Sequence, residues 1–146
     1  MKVVVISGGF DPIHIGHVEM MQEAKDLGDK LVVIVNNDNW LKKKKGFAFM
    51  SERERLAIIE AIRYVDEAIL TAHPENPTDM SVCKELEQLK PDIFANGGDR
   101  KPDGDPIPEV ELCNRLGIEL IYNVGKSGKI QSSSELVKRV KENLNK

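Results

Sequence analysis

Short apolar runs alternate along the chain with segments whose apolar residues recur at helical spacing. Residues 3–6 and 31–35 are continuous runs rich in β-branched residues, a pattern typical of strands that are buried on both faces of a parallel sheet. Between them, residues 15–27 carry apolar side chains at helical spacing and stop at Gly28, a residue suited to the end of a helix. This N-terminal stretch therefore predicts a βαβ unit.

The same alternation continues to the end of the chain. A helix is predicted from Ser51, which forms a capping-box pattern with Glu54, and its core face is assigned to Ala57, Ile58, Ala61 and Ile62. Thr78 or Asp79 is predicted to cap the next helix, and the last two helices are predicted over 108–116 and 132–144. The remaining predicted strands are 67–70, 92–95 and 118–124. Five strands alternating with helices predict a single domain over residues 1–146, of α/β class, with one Rossmann-like, doubly wound sheet of five parallel strands flanked by helices.

Composition and charge narrow the possible partners. Hydrophobic residues make up 40% of the 146 residues and charged residues 31%, as in ordinary globular proteins. The formal net charge of −3 disfavours a broad nucleic-acid surface, so any anion site must be local. Cys83 and Cys113 lack the spacing of zinc ligands and are expected to be reduced, buried thiols. The short N-terminal apolar run fits neither a signal peptide nor a membrane span, so we expect a cytoplasmic protein with no membrane partner.

The residues best suited to chemistry follow the first predicted strand, at the carboxyl edge of the sheet where ligands of open α/β folds bind. Residues 7–17 read Ser-Gly-Gly-Phe-Asp-Pro-Ile-His-Ile-Gly-His. Gly8 and Gly9 let backbone amides approach an anion, and the following helix start favours phosphate. His14 and His17, three positions apart, can face the same side and donate hydrogen bonds to phosphoryl oxygens. A solvated or core pair is the alternative, but the combination favours a phosphate site.

Two further segments carry groups that can bind anions. Four lysines at residues 42–45 follow the second strand and can form a movable clamp on a triphosphate, although such runs are also common as solvated surface. Residues 131–135, Gln-Ser-Ser-Ser-Glu, open the last helix. Serine is a frequent helix cap for structural reasons alone, but the three serines can instead bind the β- and γ-phosphates.

Together these residues resemble the cytidylyltransferase-like nucleotidyltransferase family, whose signature is HxGH. The resemblance extends over nearly the whole chain. Residues 62–67, Ile-Arg-Tyr-Val-Asp-Glu, are most similar to glycerol-3-phosphate cytidylyltransferases and their choline-phosphate relatives. Residues 96–102 are more similar to heptose-phosphate adenylyltransferases, and the triple serine is similar to archaeal flavin-nucleotide adenylyltransferases.

The resemblance implies a reaction in which a substrate phosphate attacks the α-phosphorus of a nucleoside triphosphate in line and releases pyrophosphate, usually with Mg²⁺. It implies that His14 and His17 stabilise the transition state, and that Lys44, with Lys42, grips the substrate and the α-phosphate. Lys126 and Lys129 stand where the family has a phosphate-binding arginine. Either lysine would bind phosphate through a single ammonium group, without the bidentate hydrogen bonds of a guanidinium. The implied nucleotide-binding residues are Gly8, Gly9, Phe10, Asp11, His14, His17, Arg63, Gly98, Asp99, Ser132, Ser133 and Ser134.

The resemblance leaves the base and the acceptor open. Residues 63–67 favour CTP-dependent cytidylyl transfer to a small phosphorylated polyol, sugar or alcohol over ATP-dependent adenylyl transfer to a sugar phosphate or flavin mononucleotide. A non-catalytic nucleotide-binding regulator is the alternative of another class, and the presence of both histidines and the lysines speaks against it. By analogy with related cytidylyltransferases, Tyr64 and Val65 are expected in a homodimer interface.

Overall fold

Five parallel strands form one sheet at the centre of the protein. The computed structural model describes residues 1–97, 108–125 and 133–144. The strands are β1 (Val3–Gly8), β2 (Lys30–Val35), β3 (Glu67–Leu70), β4 (Ile93–Gly97) and β5 (Glu119–Val124). They lie in the order β3-β2-β1-β4-β5, and every neighbouring pair is parallel. The chain thus starts at the centre of the sheet, moves outward to one edge and returns to the other side of β1, which confirms the predicted Rossmann-like architecture.

Six helices connect or follow these strands in the described part of the chain. They are α1 (Ile15–Asp26), α2 (Asp38–Lys45), α3 (Glu52–Glu60), α4 (Cys83–Leu89), α5 (Pro108–Leu116) and α6 (Ser133–Leu144). All except α2 are predicted by the apolar pattern. Among these residues, no helix has both the length and the apolar character that crossing a membrane requires.

The helices cover both faces of the sheet and create two apolar layers. One layer joins β-strand residues such as Val4 and Val33 to Met21 of α1 and Ile59 of α3. The other joins residues such as Val32 and Phe94 to Leu86 of α4 and Leu112 of α5. Successive strand residues alternate between the two layers, as the pleat of a strand requires. The continuous β-branched runs are therefore strands covered on both sides, as predicted.

The short helix α2 contains the lysine run that sequence reasoning interpreted as a movable clamp. The Asn37 side chain accepts a hydrogen bond from the Trp40 N–H at 3.0 Å and so caps the start of the helix. Gly46, with φ 89°, ends it in the left-handed conformation that glycine favours. Leu41 is the one residue of α2 that is buried, so the segment has no apolar periodicity from which a helix could be predicted.

The predicted core face of α3 is confirmed for Ile62, which packs against the core, and is wrong for the other three residues. The helix begins as expected, because the Ser51 hydroxyl accepts a hydrogen bond from the Glu54 N–H at 3.2 Å. Its buried residues, however, are Arg55 and Ile59, whereas Ala57, Ile58 and Ala61 are exposed. A pattern built on apolar residues places an arginine outside, and here the arginine determines which face of the helix is buried.

The predicted start of α4 is also wrong. The helix begins at Cys83, and its N-cap residue Val82 has no capping side chain. Asp79, predicted as a possible cap, accepts hydrogen bonds from the backbone N–H and the hydroxyl of Ser81, at 2.9 and 2.6 Å. The aspartate therefore stabilises a local turn that precedes the helix. Both cysteines are free thiols; Cys113 is buried as predicted and Cys83 is half-buried.

Candidate active site

The loop after β1 is shaped by the ring of Phe10. Phe10 is buried and has a φ of 52°, so the backbone turns sharply and the ring folds back over Gly8. A Cβ on Gly8 would lie 3.0 Å from this ring, and a Cβ on Gly9 would lie 3.0 Å from Leu41. Close packing therefore disfavours a larger residue at both positions, in addition to any approach of a phosphate.

The two histidines hold each other in place at the start of α1. His14 is the N-cap residue, and its Nδ1 accepts a hydrogen bond from the Gly16 N–H at 3.1 Å. His17 Nδ1 accepts from the His14 N–H at 3.2 Å, and the two rings stack with centroids 3.8 Å apart. Because each Nδ1 is an acceptor, the neutral form of each ring carries its proton on Nε2. The pair therefore supplies two Nε2–H donors of fixed orientation.

His17 is a neutral donor at physiological pH. Burial, assisted by electrostatic interaction with His14 and Lys45, lowers the pKa of His17 from its usual 6.5 to about 3. The edge-to-face contact with Phe10, at a centroid distance of 4.9 Å, contributes to this burial. The ring can thus donate a hydrogen bond to a phosphoryl oxygen without carrying a charge of its own.

A buried arginine connects the glycine loop to the neighbouring segments. Arg55 has no exposed surface. Its guanidinium donates to the carbonyl oxygens of Gly9 at 2.8 Å, of Met50 at 3.0 Å and of Asn36, and to the Asp38 carboxylate at 2.7 Å. The residue therefore fixes the relative positions of the glycine loop, the end of β2, the start of α2 and the segment before α3.

Asp11 makes a second connection to the same region. The backbone N–H groups of Phe49 and Met50 donate to its two carboxylate oxygens, each at 2.6 Å, and the side chain is almost fully buried. Its carbonyl oxygen accepts a hydrogen bond from Lys45 Nζ at 3.2 Å. In the structure, the carboxylate of Asp11 thus anchors the segment that follows α2.

Lys45 is the lysine of α2 that lies beside the histidines. It contacts Asp11, and its charge acts on His17. Partial burial, opposed by Asp11 and assisted by Arg55 and Lys44, lowers the pKa of Lys45. On a helix, residues three apart share a side, whereas consecutive residues are turned by roughly 100° from each other. Lys42 therefore shares a side with Lys45, and Lys44 does not.

A cavity of about 260 Å³ adjoins this site. Phe47 and Phe49, which follow α2, line it with large exposed fractions of 42% and 55%. The other lining residues are Asp11 and Lys45 from the histidine site, and Val137, Lys138 and Lys141 from α6. The cavity thus combines aromatic surface with three lysine side chains.

A sequence profile described as cytidylyltransferase-like matches residues 5–139, nearly the whole chain. The chain belongs to the cytidylyltransferase-like family. The FAD synthase of Pyrococcus horikoshii is 38% identical to this cytidylyltransferase-like chain over 119 residues, which are 81% of this chain and 77% of that protein. The ethanolamine-phosphate cytidylyltransferase of Dictyostelium discoideum is 33% identical over 148 residues, 97% of this chain but only 38% of that longer protein.

A solved structure supports both fold and family. The lipopolysaccharide core biosynthesis protein from Thermoplasma volcanium superposes on this cytidylyltransferase-like chain with a TM-score of 0.66 and 34% identity, covering 84% of this chain and 94% of the other. The FAD synthase and the ethanolamine-phosphate cytidylyltransferase are nucleotidyltransferases, so the chain is a nucleotidyltransferase, as predicted.

The structure brings together part of the set of residues predicted from the HxGH resemblance. Gly8, Gly9, Phe10, Asp11, His14 and His17 lie in one loop and helix start. Arg63 lies elsewhere in this cytidylyltransferase-like fold, because it follows α3 near the amino end of β3, whereas the histidines follow the carboxyl end of β1. Its guanidinium packs on the Tyr64 ring at 5.0 Å and donates to the Tyr64 hydroxyl at 3.0 Å. Within one chain, Arg63 therefore does not reach the histidine site.

Several predicted residues fall outside the described part of the chain. These are Gly98, Asp99, Lys126, Lys129 and Ser132. Ser133 and Ser134 open α6, as the sequence predicts. Of the predicted lysines, Lys42 and Lys44 are exposed in the last turns of α2.

Sequence reasoning did not predict Phe47 and Phe49 as part of this region. It gave Arg55 no role of its own, and it did not single out Lys45 from the lysine run 42–45. Arg55 stands next to Leu56 and four residues before Ile59, and an arginine within an apolar helix stripe is a signal of burial with partners. Only 5% of the chain is aromatic, yet two of its four phenylalanines follow α2 closely. The side of α2 on which Lys45 lies could be assigned only once this segment was known to be helical.

The described residues form no protein cage for the expected Mg²⁺. Within 1–97, 108–125 and 133–144, no group of three or more His, Cys, Asp or Glu side chains is arranged to hold a metal ion. Each carboxylate oxygen of Asp11 already accepts a backbone hydrogen bond. Mg²⁺ commonly enters such sites on substrate phosphates with few protein ligands, and the described residues are compatible with that mode.

Proposed function

We propose that this nucleotidyltransferase transfers the adenylyl group of ATP to flavin mononucleotide (FMN), forming FAD and pyrophosphate. A phosphate oxygen of FMN forms a bond to the α-phosphorus of ATP, the bond from that phosphorus to the bridging oxygen of the β-phosphate breaks, and pyrophosphate leaves with the electron pair. The observation that carries the proposal is the similarity to FAD synthases over most of the length of both chains. This similarity favours adenylyl transfer from ATP, whereas residues 63–67 favoured cytidylyl transfer from CTP.

The geometry of the histidine pair suits this step. Negative charge grows on the oxygens of the five-coordinate α-phosphorus, and two Nε2–H donors held by their own backbone contacts can stabilise it without rearranging. Lys45 adds a positive charge beside the pair. Both the attacking phosphate and the leaving pyrophosphate are anions, so the reaction needs positioning and charge stabilisation more than proton transfer.

The second candidate is CTP-dependent cytidylyl transfer to a small phosphorylated alcohol. It is favoured by the likeness of residues 62–67 to cytidylyltransferases and by the Dictyostelium relative. The position of Arg63 weakens this argument, since a residue near the amino end of β3 does not select the base at the carboxyl edge of the same chain.

Pyrophosphate release with product chromatography separates the two candidates. Purified protein is supplied with ATP, CTP, GTP or UTP and Mg²⁺, each paired with FMN, glycerol 3-phosphate, ethanolamine phosphate or a sugar phosphate. We expect pyrophosphate and FAD from ATP with FMN. A cytidylylated alcohol as the main product would replace the first candidate by the second, and nucleotide binding without any release would favour a regulator.

A His14→Asn variant tests the role of the histidine donors. Asparagine is a good helix N-cap and keeps an acceptor for the Gly16 N–H, but it lacks the Nε2–H group. We expect the variant to melt near the wild-type temperature and to lose on the order of 10²-fold in kcat. A folded variant with wild-type kcat would contradict the assigned role.

A further inference from the structure

The cavity beside the histidines has a composition that the transfer step does not explain. The proposed transfer step uses Lys45 and the histidine pair, whereas Phe47, Phe49 and the α6 residues Lys138 and Lys141, which also line the cavity, have no part in it. Large exposed aromatic side chains next to an active site indicate contact with a ligand.

We propose that this cavity holds the isoalloxazine ring of the acceptor, stacked against Phe47 and Phe49, with its carbonyl-bearing edge toward Lys138 and Lys141. The inference rests on the proposed FAD-forming function and adds the part of the site that recognises the flavin. It assigns a specificity-determining role to residues outside the HxGH loop.

The backbone at Phe49 is held by Asp11, a residue of the loop that leads from β1 to the histidines. The N–H of Phe49 and that of Met50 donate to the buried Asp11 carboxylate at 2.6 Å, so the backbone of this segment is fixed relative to the histidines. A planar ring that stacks on a pre-positioned aromatic surface loses less conformational freedom on binding than one that must first order a loop.

The charge of the cavity distinguishes between possible acceptors. Three of its lining residues are lysines. The lining also includes the acidic side chain of Asp11, and both of its carboxylate oxygens accept hydrogen bonds from backbone N–H groups. This environment suits a ring with carbonyl acceptors and a phosphate, and it repels the ammonium group of ethanolamine phosphate or choline phosphate.

Lys45, Phe47 and Phe49 line the same cavity, so a single ligand can contact all three. Lys45 lies both in the cavity wall and beside His17, where the acceptor phosphate must meet the α-phosphorus. In FMN a flexible ribityl chain joins the phosphate to the ring, so a phosphate at Lys45 allows the ring to enter the cavity. A volume of about 260 Å³ is smaller than that of pockets which enclose whole drug-sized ligands, and it suits one ring system.

Flavin fluorescence provides a direct binding assay, because stacking on an aromatic side chain quenches it. FMN is titrated with wild-type protein, with the Phe47→Leu/Phe49→Leu double variant and with Phe49→Tyr, and KM values for FMN and ATP are measured in parallel. The matched control is Leu116→Ala, which removes an apolar side chain of 37% exposure at the end of α5, on the other face of the sheet.

We expect quenching with wild-type protein, Phe49→Tyr and Leu116→Ala. In the double variant, Kd and KM for FMN should rise roughly tenfold, with the KM for ATP changed less than about twofold. FAD formation by wild-type protein together with an unchanged Kd in the double variant would overturn the ring site and leave the proposed function standing. A wild-type protein that neither quenches FMN nor forms FAD would overturn both.

Discussion

Replacing Arg55 by methionine should destabilise the fold far more than the same replacement at Arg53, the other arginine of α3. The guanidinium is fully buried and donates four hydrogen bonds, three to carbonyl oxygens and one to the Asp38 carboxylate. Methionine fills much of the same volume with an apolar chain but donates nothing. The carbonyl oxygens of Gly9, Asn36 and Met50 then lose their donor in a dry environment.

The expected loss in free energy of unfolding follows from these contacts. A buried acceptor left without its partner costs about 1–3 kcal/mol, and breaking a buried ion pair costs about 3–5 kcal/mol. The Asp38 side chain is 28% exposed, so water can replace part of what it loses. With three orphaned acceptors at the lower limit and the ion pair discounted, we expect a loss of at least about 4 kcal/mol, which at roughly 2–4 °C per kcal/mol lowers the melting temperature by roughly 10 °C or more.

Urea denaturation followed by circular dichroism measures this loss. Arg53→Met is the matched control, because Arg53 is exposed on the same helix and its replacement should change stability by less than about 0.5 kcal/mol. The stability loss of Arg55→Lys should fall between those of the two methionine variants, since lysine keeps the charge but lacks the planar set of guanidinium donors. A loss below about 1 kcal/mol for Arg55→Met, or equal losses at both arginines, would refute the role of the network.

Three further predictions concern other residues. Asp11→Asn should lower the free energy of unfolding by about 2 kcal/mol in urea titrations, because an amide nitrogen would face a backbone N–H, while Asp26→Asn at an exposed position should leave it unchanged. Since the folded pKa of His17 lies near 3, below the unfolded value of 6.5, the unfolded state binds the extra proton between these values, and stability should fall as pH decreases from 6.5 toward 3. The fall should be shallower in His17→Asn, and parallel curves would contradict the assigned pKa. Gly28→Ala should cost more than about 1 kcal/mol in thermal unfolding, because its Cβ would lie 2.8 Å from the Lys2 carbonyl oxygen; wild-type stability would show that the backbone yields there at no cost.

The sequence was sufficient for the sheet and most helices because their signals are local. Strands covered on both faces require continuous apolar runs, and α1 requires an apolar stripe of its own. α2 has Leu41 as its one buried residue, so its helical state depends on capping by Asn37 and on Gly46 more than on periodicity. The buried face of α3 is determined by Arg55, whose burial is stable only because acceptors elsewhere in the chain meet it.

The candidate site divides in the same way. His14 and His17 are positioned by contacts within three residues, so the motif alone predicts their arrangement. The link from Arg55 to Gly9 spans 46 residues and that from Phe49 to Asp11 spans 38. Such contacts exist only after the strands have assembled, and no local pattern encodes them.

The capping of α1 by its own histidines has a consequence for how this chain can change over evolutionary time. One pair of side chains both starts the helix and supplies the donors for chemistry, so relaxed selection on activity does not relax selection on position 14. A descendant that abandoned turnover would still need an acceptor for the Gly16 N–H. We expect such a lineage to have Asn, Ser or Asp at position 14, so that the helix keeps its capping residue after the catalytic histidine is gone.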